Sequence, residues 1–527
     1  MVAASGLDNP QRSFGKTAKL SAVWDIGGRV AQQGFLFVVS IFIARLLTPA
    51  DFGITAAARF FVTLATRITQ LGLNVSLIRM KEIKPEHASS VFVVNLVMGV
   101  LAFFTLYLAS PTIGRLFGSS SVAEVLPVTA AVFLITPLAS VPGAMMVRQL
   151  RYRASTAIHL LDAVAGSIIT LGLAFLDFGY WSLVLGALAG TVLSTAVRVY
   201  MSPWRLSLRF SSSALRDTLS FGTGFQVKQL LTFGATNLDN LVVGRLLGVT
   251  SLGFYDKAYG LMRQMTDRFA FDTALMRIFA VINHEPDRFR KALLKGTLAT
   301  TLVTFPILCF VGVGADELIL VLYGSQWLPA VGPFYSLAVA GVLKSAMRPM
   351  HAANESLGLV WLQTIQQLAY AVLIVVGVAV GSYWGVSGAA AGVLPGLLVQ
   401  LAFGVRLLTR NSTVTAGDLW SAVWPSIASS AAMCAGVLGV EVALRSLGVL
   451  PWLVLLAMIA TAGVSYAALL LWTPFPTVAA VVRESVDDVA PWARRWVAFG
   501  ILRVRSQKNS DRDLDAPGPA AKAKATS

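Results

Sequence analysis

The side chains best suited to binding a ligand in this sequence are cations and amides that lie inside long apolar stretches. If residues 53–78 form a helix, with 100° of rotation per residue, four of these side chains lie on one face of it: Arg59, Arg67, Gln70 and Asn74. In the preceding stretch, at 22–47, Asp25 and Arg29 have the i,i+4 spacing of an ion pair. Guanidinium groups bind anionic oxygens, and amides both donate and accept hydrogen bonds. The pattern therefore predicts non-covalent binding of a polar, anionic ligand.

The second half of the chain repeats this arrangement. Further polar residues share helical faces in the apolar stretches near 219–247, 254–283 and 359–381: Gln226, Asn237, Arg263, Gln264, Gln363 and Gln367. A charge at the centre of a membrane costs roughly 2.5 to 3.5 kcal/mol, so such residues are expected to face water or a partner. We predict that this set, with Arg29 and the polar face at 53–78, lines a hydrated cavity. The alternative is that these residues join helices or reach the membrane interface.

Two acidic residues inside the apolar stretches are candidates for coupling to an ion gradient, namely Asp25 and Asp239. The sequence does not distinguish H⁺ from Na⁺, and no other cofactor is predicted.

Motifs for catalysis or metal binding are missing. The sequence contains no GxxxxGK[ST], HExxH or GxSxG motif, and its four histidines have no metal-ligand spacing. We therefore expect neither an enzyme nor a metal site, and no ATP-driven pump.

The elements that must position these residues are membrane helices. The chain has 527 residues, of which 56% are hydrophobic and only 13% charged, against roughly 25% charged in soluble domains. Apolar runs of about 20 residues recur along the whole chain, and this excludes a soluble enzyme with one anchor. The sequence predicts an all-α polytopic membrane protein with about 14 spans, at 22–47, 53–78, 91–110, 126–146, 158–176, 181–197, 219–247, 254–283, 296–315, 331–347, 359–381, 386–405, 420–444 and 452–472.

The distribution of Lys and Arg predicts the orientation of these spans. With the N-terminus inside, the inner segments hold 29 Lys and Arg residues and the outer segments only Arg115 and Arg445. Basic residues are retained in short cytoplasmic loops, so both termini are predicted to be cytoplasmic. The net charge of +16 is then mostly a consequence of topology, and nucleic acid is not an expected partner.

An internal repeat is suggested by short matches 200 positions apart. Ala44–Leu47 has the sequence ARLL and residues 244–247 have the sequence GRLL. Five residues after each match the chain has an aromatic or aliphatic residue and then glycine, at Phe52–Gly53 and Leu252–Gly253. Six spans return the chain to the same side of the membrane, so the two copies must be parallel. We predict these segments: a cytoplasmic N-terminus at 1–21, an N-lobe at 22–205, a linker at 206–218, a C-lobe at 219–408, two added spans within 420–472, and a cytoplasmic tail at 473–527 with an amphipathic helix and a disordered end.

Three motifs resemble those of a known family. The segments IARLLTPADFG at 43–53, LGLNVSLIR at 71–79 and LGFYDKAYGLM at 252–262 resemble the polysaccharide transporter branch of the multidrug, oligosaccharidyl-lipid and polysaccharide exporter superfamily. The resemblance implies a bilobed bundle of twelve helices, commonly with two added. It also implies a function, the flipping of undecaprenyl-pyrophosphate-linked oligosaccharides across the bacterial inner membrane. Polymerase and chain-length proteins are then possible partners.

Together these observations predict a flippase that works by alternating access through a cationic central cavity. Within the predicted spans Lys and Arg outnumber Asp and Glu, which suits an anionic lipid headgroup. Three alternatives remain. A drug exporter of the same superfamily would favour an acidic cavity, a membrane glycosyltransferase or ligase would need a larger outer loop, and a scaffold protein would not need a charged cavity.

Overall fold

The computed structural model describes residues 32–69, 72–80, 83–202, 204, 207–219, 223–267, 272–471 and 478. All regular structure in these residues is helical. The predicted N-terminal segment at 1–21 and nearly all of the tail at 473–527 lie outside the described residues. The chain divides into two compact units, residues 1–256 and 257–527. The division falls inside a helix rather than in the predicted linker at 206–218, and the predicted lobe boundaries stay a prediction.

The helices of unit 1 are α1 Gln32–Leu46, α2 Pro49–Thr69, α3 Leu73–Arg79, α4 Pro85–Phe117, α5 Ser120–Ala130, α6 Val132–Arg148, α7 Tyr152–Phe175, α8 Tyr180–Met201, α9 Ser212–Leu219 and the first part of α10 Thr223–Asp267. One apolar core joins α3 and α4 to α6 through Leu73, Leu77, Val91 and Val141. Burying side chains of this size contributes roughly 1.5–3 kcal/mol each, which fixes these three helices around each other.

The helices of unit 2 are the end of α10, α11 Asp272–Ile282, α12 Pro286–Val313, α13 Ala315–Tyr323, α14 Val331–Ser356, α15 Val360–Gly381, α16 Gly385–Ala391, α17 Val393–Asn411, α18 Ala416–Ser446 and α19 Pro451–Leu471. Short 3₁₀ turns, Ser325–Ala330 and Ser382–Trp384, precede α14 and α16. Glycines on both sides allow the backbone of α15 to approach that of the α16–α17 segment closely. A Cβ at Gly392 would lie 2.0 Å from the Gly377 carbonyl oxygen, and one at Gly388 would lie 2.3 Å from that of Gly381.

Ten helical segments in the described residues are long and apolar enough to cross a membrane, or up to eleven if a bent pair is counted as one span. The ten match predicted spans three to six and nine to fourteen, so the membrane fold class is confirmed. Predicted spans one, two, seven and eight correspond to α1, α2 and α10. Helices α1 and α2 pass the same test only as a pair, and α10 does not pass it. Most of the predicted polar faces lie on these helices, with the face of α15 as the exception, and the total of fourteen stays a prediction.

The chain breaks its helices at two points about 200 residues apart. Helix α1 ends at Leu46 and α2 begins at Pro49, with a bend of 119° between them. Inside α10 the backbone leaves the helical region at Gly248, where φ is +82°. Glycine adopts this left-handed conformation without the steric cost that a Cβ would impose.

The segments that follow the two breaks pack against each other reciprocally within unit 1. A Cβ at Gly53 would lie 1.7 Å from the carbonyl oxygen of Val249, and a Cβ at Gly253 would lie 1.9 Å from that of Pro49. Both positions therefore require glycine. Pro49 and Val249 are themselves 200 residues apart, so residues at this spacing occupy equivalent places in the packing. This reciprocity supports our proposal of a duplicated chain.

Candidate functional site

A polar cavity of about 470 Å³ lies inside unit 1, between α2, α3, α4, α6, α7 and α8. Its volume is in the range of small-molecule sites. Most of its lining residues carry hydroxyl, amide or charged groups, in contrast to the apolar surfaces of the same helices. The polar residues of the lining are Thr66, Thr69, Asn74, Asn95, Thr136, Ser140, Ser155, His159, Asp162, Thr191, Ser194, Thr195 and Arg198.

Helix α6 shapes one wall of the cavity because it contains two prolines. Pro137 has no amide N–H to donate to the carbonyl of Phe133, one turn earlier, so the regular hydrogen bonding of the helix is interrupted there. Helix α4 approaches the same turn closely, since a Cβ at Gly99 would lie 2.4 Å from the Phe133 oxygen. The hydroxyl of Ser140 donates to the Pro137 carbonyl at 2.8 Å. Proline and glycine together place polar groups at this wall.

An amide and hydroxyl network links three helices at the cavity. The Asn95 amide on α4 donates to Asn74 Oδ1 on α3 at 3.2 Å and to Ser140 Oγ on α6 at 3.0 Å. Buried polar groups are costly unless they are paired, so these bonds fix the three helices in register.

The ionisable groups of the cavity come from α7 and α8. Arg198 of α8 lies against Gly143 of α6, and Asp162 and His159 of α7 are near enough to act on it electrostatically. No ion pair within 4.0 Å joins Arg198 to an acidic residue in the described part of the chain. One cation and one anion share the cavity, so it offers both donors and acceptors rather than a purely cationic surface.

The predicted site residues of unit 1 lie in different environments. Asn74 lines the cavity. Arg59 is exposed and Arg67 is half-buried, and neither lines the cavity, although Thr66 and Thr69 of the same helix do. The amide of Asn237 donates to the Phe233 carbonyl of its own helix at 3.0 Å.

The predicted coupling residue Asp239 is buried, with 2% of its surface exposed. Its Oδ2 accepts a hydrogen bond from the Tyr255 hydroxyl at 2.9 Å, and its Oδ1 accepts one from the amide of Asn240. Asp239 thus joins the two parts of α10 that flank Gly248.

The predicted site residues of unit 2 fall into two groups. Arg263 and Gln264 are exposed. Gln363 Nε2 donates to the His351 carbonyl at 2.8 Å, and Gln367 Oε1 accepts from Gln400 at 3.2 Å. These two glutamines join α15 to α14 and α17, the structural role given above as the alternative. Arg29, Gln70, Asp25 and the side chain of Gln226 lie outside the described residues.

Of the polar residues that line the cavity, only Asn74 was in the predicted set, and three of the others show why. Asn95 and Asp162 are polar residues within apolar stretches, so the rule that selected Arg59 also applies to them. Arg198 was counted with the cytoplasmic loop, but it lies in the last turn of α8. No local signal in the sequence brings these residues together, because they lie on three different helices.

The family model for "Polysaccharide biosynthesis protein" matches residues 42–332, which is more than half of the chain. The chain belongs to this family. The earlier resemblance, based on three short motifs, is thereby confirmed.

Curated relatives of this family member include two bacterial proteins. The teichuronic acid biosynthesis protein TuaB of Bacillus subtilis is 26% identical over 302 residues, covering 54% of this chain and 59% of TuaB. The succinoglycan biosynthesis transport protein ExoT of Rhizobium meliloti is 24% identical over 330 residues, covering 62% of this chain and 66% of ExoT. The match thus spans about three fifths to two thirds of their lengths.

Among solved structures, the family member is similar to the lipid II flippase MurJ in its inward closed conformation. The TM-score is 0.65 with 14% identity, and the match covers 83% of this chain and 96% of MurJ. At this identity the likeness shows a shared fold.

Proposed function

We propose that this protein is a flippase for lipid-linked oligosaccharides that serve exopolysaccharide, capsule or O-antigen synthesis. The cargo is an oligosaccharide repeat unit on undecaprenyl pyrophosphate, moved by alternating access and without a chemical step. The location is the bacterial inner membrane, with both termini in the cytoplasm. Partners are the cargo, membrane lipids and, in the assembly of the polymer, polymerase and chain-length proteins.

The observation that carries this proposal is a set of arginines that have no side-chain partner among the described residues and lie in helices of a membrane protein. The side chains of Arg59, Arg67 and Arg263 form no ion pair or hydrogen bond with another described residue. An intramembrane cation is costly unless it is paired or hydrated, so such residues favour an anionic ligand that comes and goes. Pyrophosphate supplies that charge, and guanidinium groups are suited to phosphate oxygens.

The cavity of unit 1 supports the same cargo class in a different way. Its amides and hydroxyls match the hydroxyl groups of a sugar, and Arg198 adds one donor for an anion. The family assignment and the name of ExoT, a transport protein, are consistent with export of a polysaccharide precursor. MurJ, which shares the fold, is named as a lipid II flippase.

The alternatives explain fewer of these features. A drug exporter for organic cations would favour unpaired acids, whereas the unpaired residues named above are arginines. A glycosyltransferase or ligase would need acid and base residues in an outer domain. For ion coupling, Asp25 remains a proposal from the sequence. Asp239 is held by Tyr255, so protonating it would weaken a bond across the break in α10.

The test is to replace Arg59, Arg67 and Arg263 singly with Ala, at matched protein levels in the native host, and to measure polysaccharide output and lipid-linked intermediate. A charged hydrogen bond contributes about 1.5–3 kcal/mol, so each loss is expected to reduce output by about tenfold or more and to raise the intermediate. Lys at the same positions should restore part of the output because the charge is kept.

Arg115→Ala is the matched control. Arg115 lies in the last turn of α4, in a predicted outer segment, and donates to Thr112, so its loss should leave output normal. Normal output from all three test variants would contradict a role for these arginines in binding the cargo.

A further inference from the structure

A cluster of ionisable side chains in unit 2 is not used by the proposed function. It lies where α13 and α14 begin and α18 ends, and its members are Asp316, Glu317, Tyr335, Glu441 and Arg445. Three carboxyl groups face a single arginine. Helix α19, the last turn of α12 and the 3₁₀ turn Ser325–Ala330 also pack here, and they contribute no charged residue.

Arg445 bridges two of the carboxyl groups. Its guanidinium contacts Glu317 Oε1 and lies 3.2 Å from Glu441 Oε1, one turn earlier on α18. The third acid is already paired, because the Tyr335 hydroxyl donates to Asp316 Oδ2 at 2.7 Å. The arrangement therefore leaves Glu317 and Glu441 to share one positive charge.

The remaining oxygens of these two acids have no donor. Glu317 is 3% exposed and Glu441 is 7% exposed. Oε2 of Glu317 and Oε2 of Glu441 are both buried, and neither accepts a hydrogen bond from any residue that the structure describes. The same guanidinium nitrogen of Arg445, Nη2, contacts Oε1 of both acids, so the two carboxyl groups lie side by side. Two ionised carboxylates in this position would both be acceptors and would repel each other.

We propose that Glu317 and Glu441 form a proton-binding site in which one proton is shared between their Oε2 atoms. The proton makes one carboxyl group a donor to the other, so both buried oxygens are satisfied at once. The remaining single negative charge is matched by Arg445. With the proton bound, the two carboxyl groups and Arg445 have no net charge, and the site joins α13 to α18.

A proton fits this position better than a metal ion. In the described part of the chain, no group of three acidic, histidine or cysteine residues is placed to hold a metal. Arg445 also supplies a positive charge at Oε1 of both acids already. Loss of the proton would leave two buried carboxylates against one guanidinium, which weakens the link between α13 and α18. This inference is independent of the cargo and goes beyond the proposed function.

The experiment is infrared spectroscopy of the purified full-length protein in lipid vesicles at neutral pH, in H₂O and D₂O. A protonated carboxyl group gives a carbonyl stretch that is separate from the carboxylate bands and shifts on deuteration. We expect the wild-type protein to show this stretch and Glu441→Gln and Glu317→Gln each to lose one carboxyl group's share of it. Raising the pH should remove the same part of the carbonyl stretch from the spectrum of the wild-type protein. This measurement uses the wild-type protein only, so it does not depend on whether a variant folds.

Asp418→Asn is the matched control. Asp418 is at the other end of α18, where Arg290 binds its carboxylate and no second acid among the described residues contacts it, so this variant should keep the band. A spectrum that neither glutamine variant changes would overturn the proposal, since both acids would then be ionised. A response to Na⁺ instead of to pH would also overturn it, in favour of a metal ion.

Both glutamine variants are expected to fold, because an amide can donate to the neighbouring carboxylate and accept from Arg445 as the protonated acid does. Their thermal midpoints in detergent should therefore match that of the wild-type protein. A large loss of stability in both would show that two charges are required and would contradict a shared proton.

Discussion

Helices α2 and α18 both bring charged residues into an apolar bundle, and they are held in opposite ways. In α2 the positions that pack are small or apolar. Gly53, Ala56, Ala57, Ala58 and Phe60 are buried, while Arg59 between them is exposed. The closest approach of α2 to its neighbour is backbone to backbone, at Gly53. The fixed position of this helix therefore does not depend on its charges.

In α18 polar and charged side chains form the links. Asp418 at its start binds Arg290 of α12, with the Arg Nε at 2.9 Å from Oδ2. Ser426 in its middle is 2.8 Å from the Thr301 hydroxyl of α12. At its end Arg445 binds Glu317 of α13. Each of these groups already has a partner within the protein.

The difference separates two uses of charge in a membrane protein. A helix that packs through glycine can leave its arginines unpaired and available to a mobile anion. A helix that packs through ion pairs has its charges occupied and cannot offer them to a cargo. We therefore propose that α2 serves binding and α18 serves structure, with the proposed proton site as the exception at the C-terminal end of α18.

The largest expected effect on stability comes from removing Arg445. Arg445→Ala leaves two buried carboxyl groups without their cation, and breaking a buried pair by removing one partner costs about 3 kcal/mol or more. Arg67→Ala on α2 removes no pair, so it should change stability little while reducing transport. The measurement is the thermal unfolding midpoint in detergent beside polysaccharide output for both variants. An equal loss of stability in Arg445→Ala and Arg67→Ala would contradict the idea that charged residues hold α18 in place but not α2.

The second prediction concerns the packing of α2. Gly53→Ala places a methyl group 1.7 Å from the Val249 carbonyl oxygen, so the backbones must separate. Overpacking of this kind costs about 1–3 kcal/mol, which outweighs the roughly 1 kcal/mol that alanine gains over glycine in a helix. Thermal unfolding should show a clear loss of stability.

Gly436→Ala on α18 is the control for this prediction. The nearest atom to a Cβ at Gly436 is Thr461 Cγ2 at 3.9 Å, an ordinary contact distance. This substitution should be neutral or stabilising. A destabilising effect as large as that of Gly53→Ala would indicate a general intolerance of side chains at helical glycines, and not a specific backbone contact in α2.

The membrane class and most spans were predictable because hydrophobicity is a property of the local sequence. Ten predicted spans correspond to apolar helices, and the four others are more polar and carry most of the faces that the periodicity identified. The 200-residue spacing also pointed to Gly53 and Gly253 as equivalent. Their mutual contact was not predictable, since it depends on where two distant helix breaks meet in space.

The composition of the cavity was less predictable. Periodicity assigns residues to a face of one helix, but a cavity is formed by several helices. Asn74 was found and Asn95 was not, although they bond to each other. The same limit applies to Gln363 and Gln367. Both residues lie on one polar face of α15, as the periodicity indicates. The sequence does not distinguish a side chain that forms a hydrogen bond to another helix from one that binds a ligand.

The smallest expected effect comes from single hydroxyl groups on the two helices. Ser426→Ala removes the bond to Thr301 across α18 and α12, and interhelical hydrogen bonds in membrane proteins average about 0.6 kcal/mol. Thr63→Ala on α2 removes only a bond to the Arg59 carbonyl of its own helix, at 2.7 Å, and should cost less. Thermal unfolding of the two variants in one detergent gives the ordering. The reverse order would mean that α2 is held by polar contacts after all, and its arginines would then be better explained as structural residues.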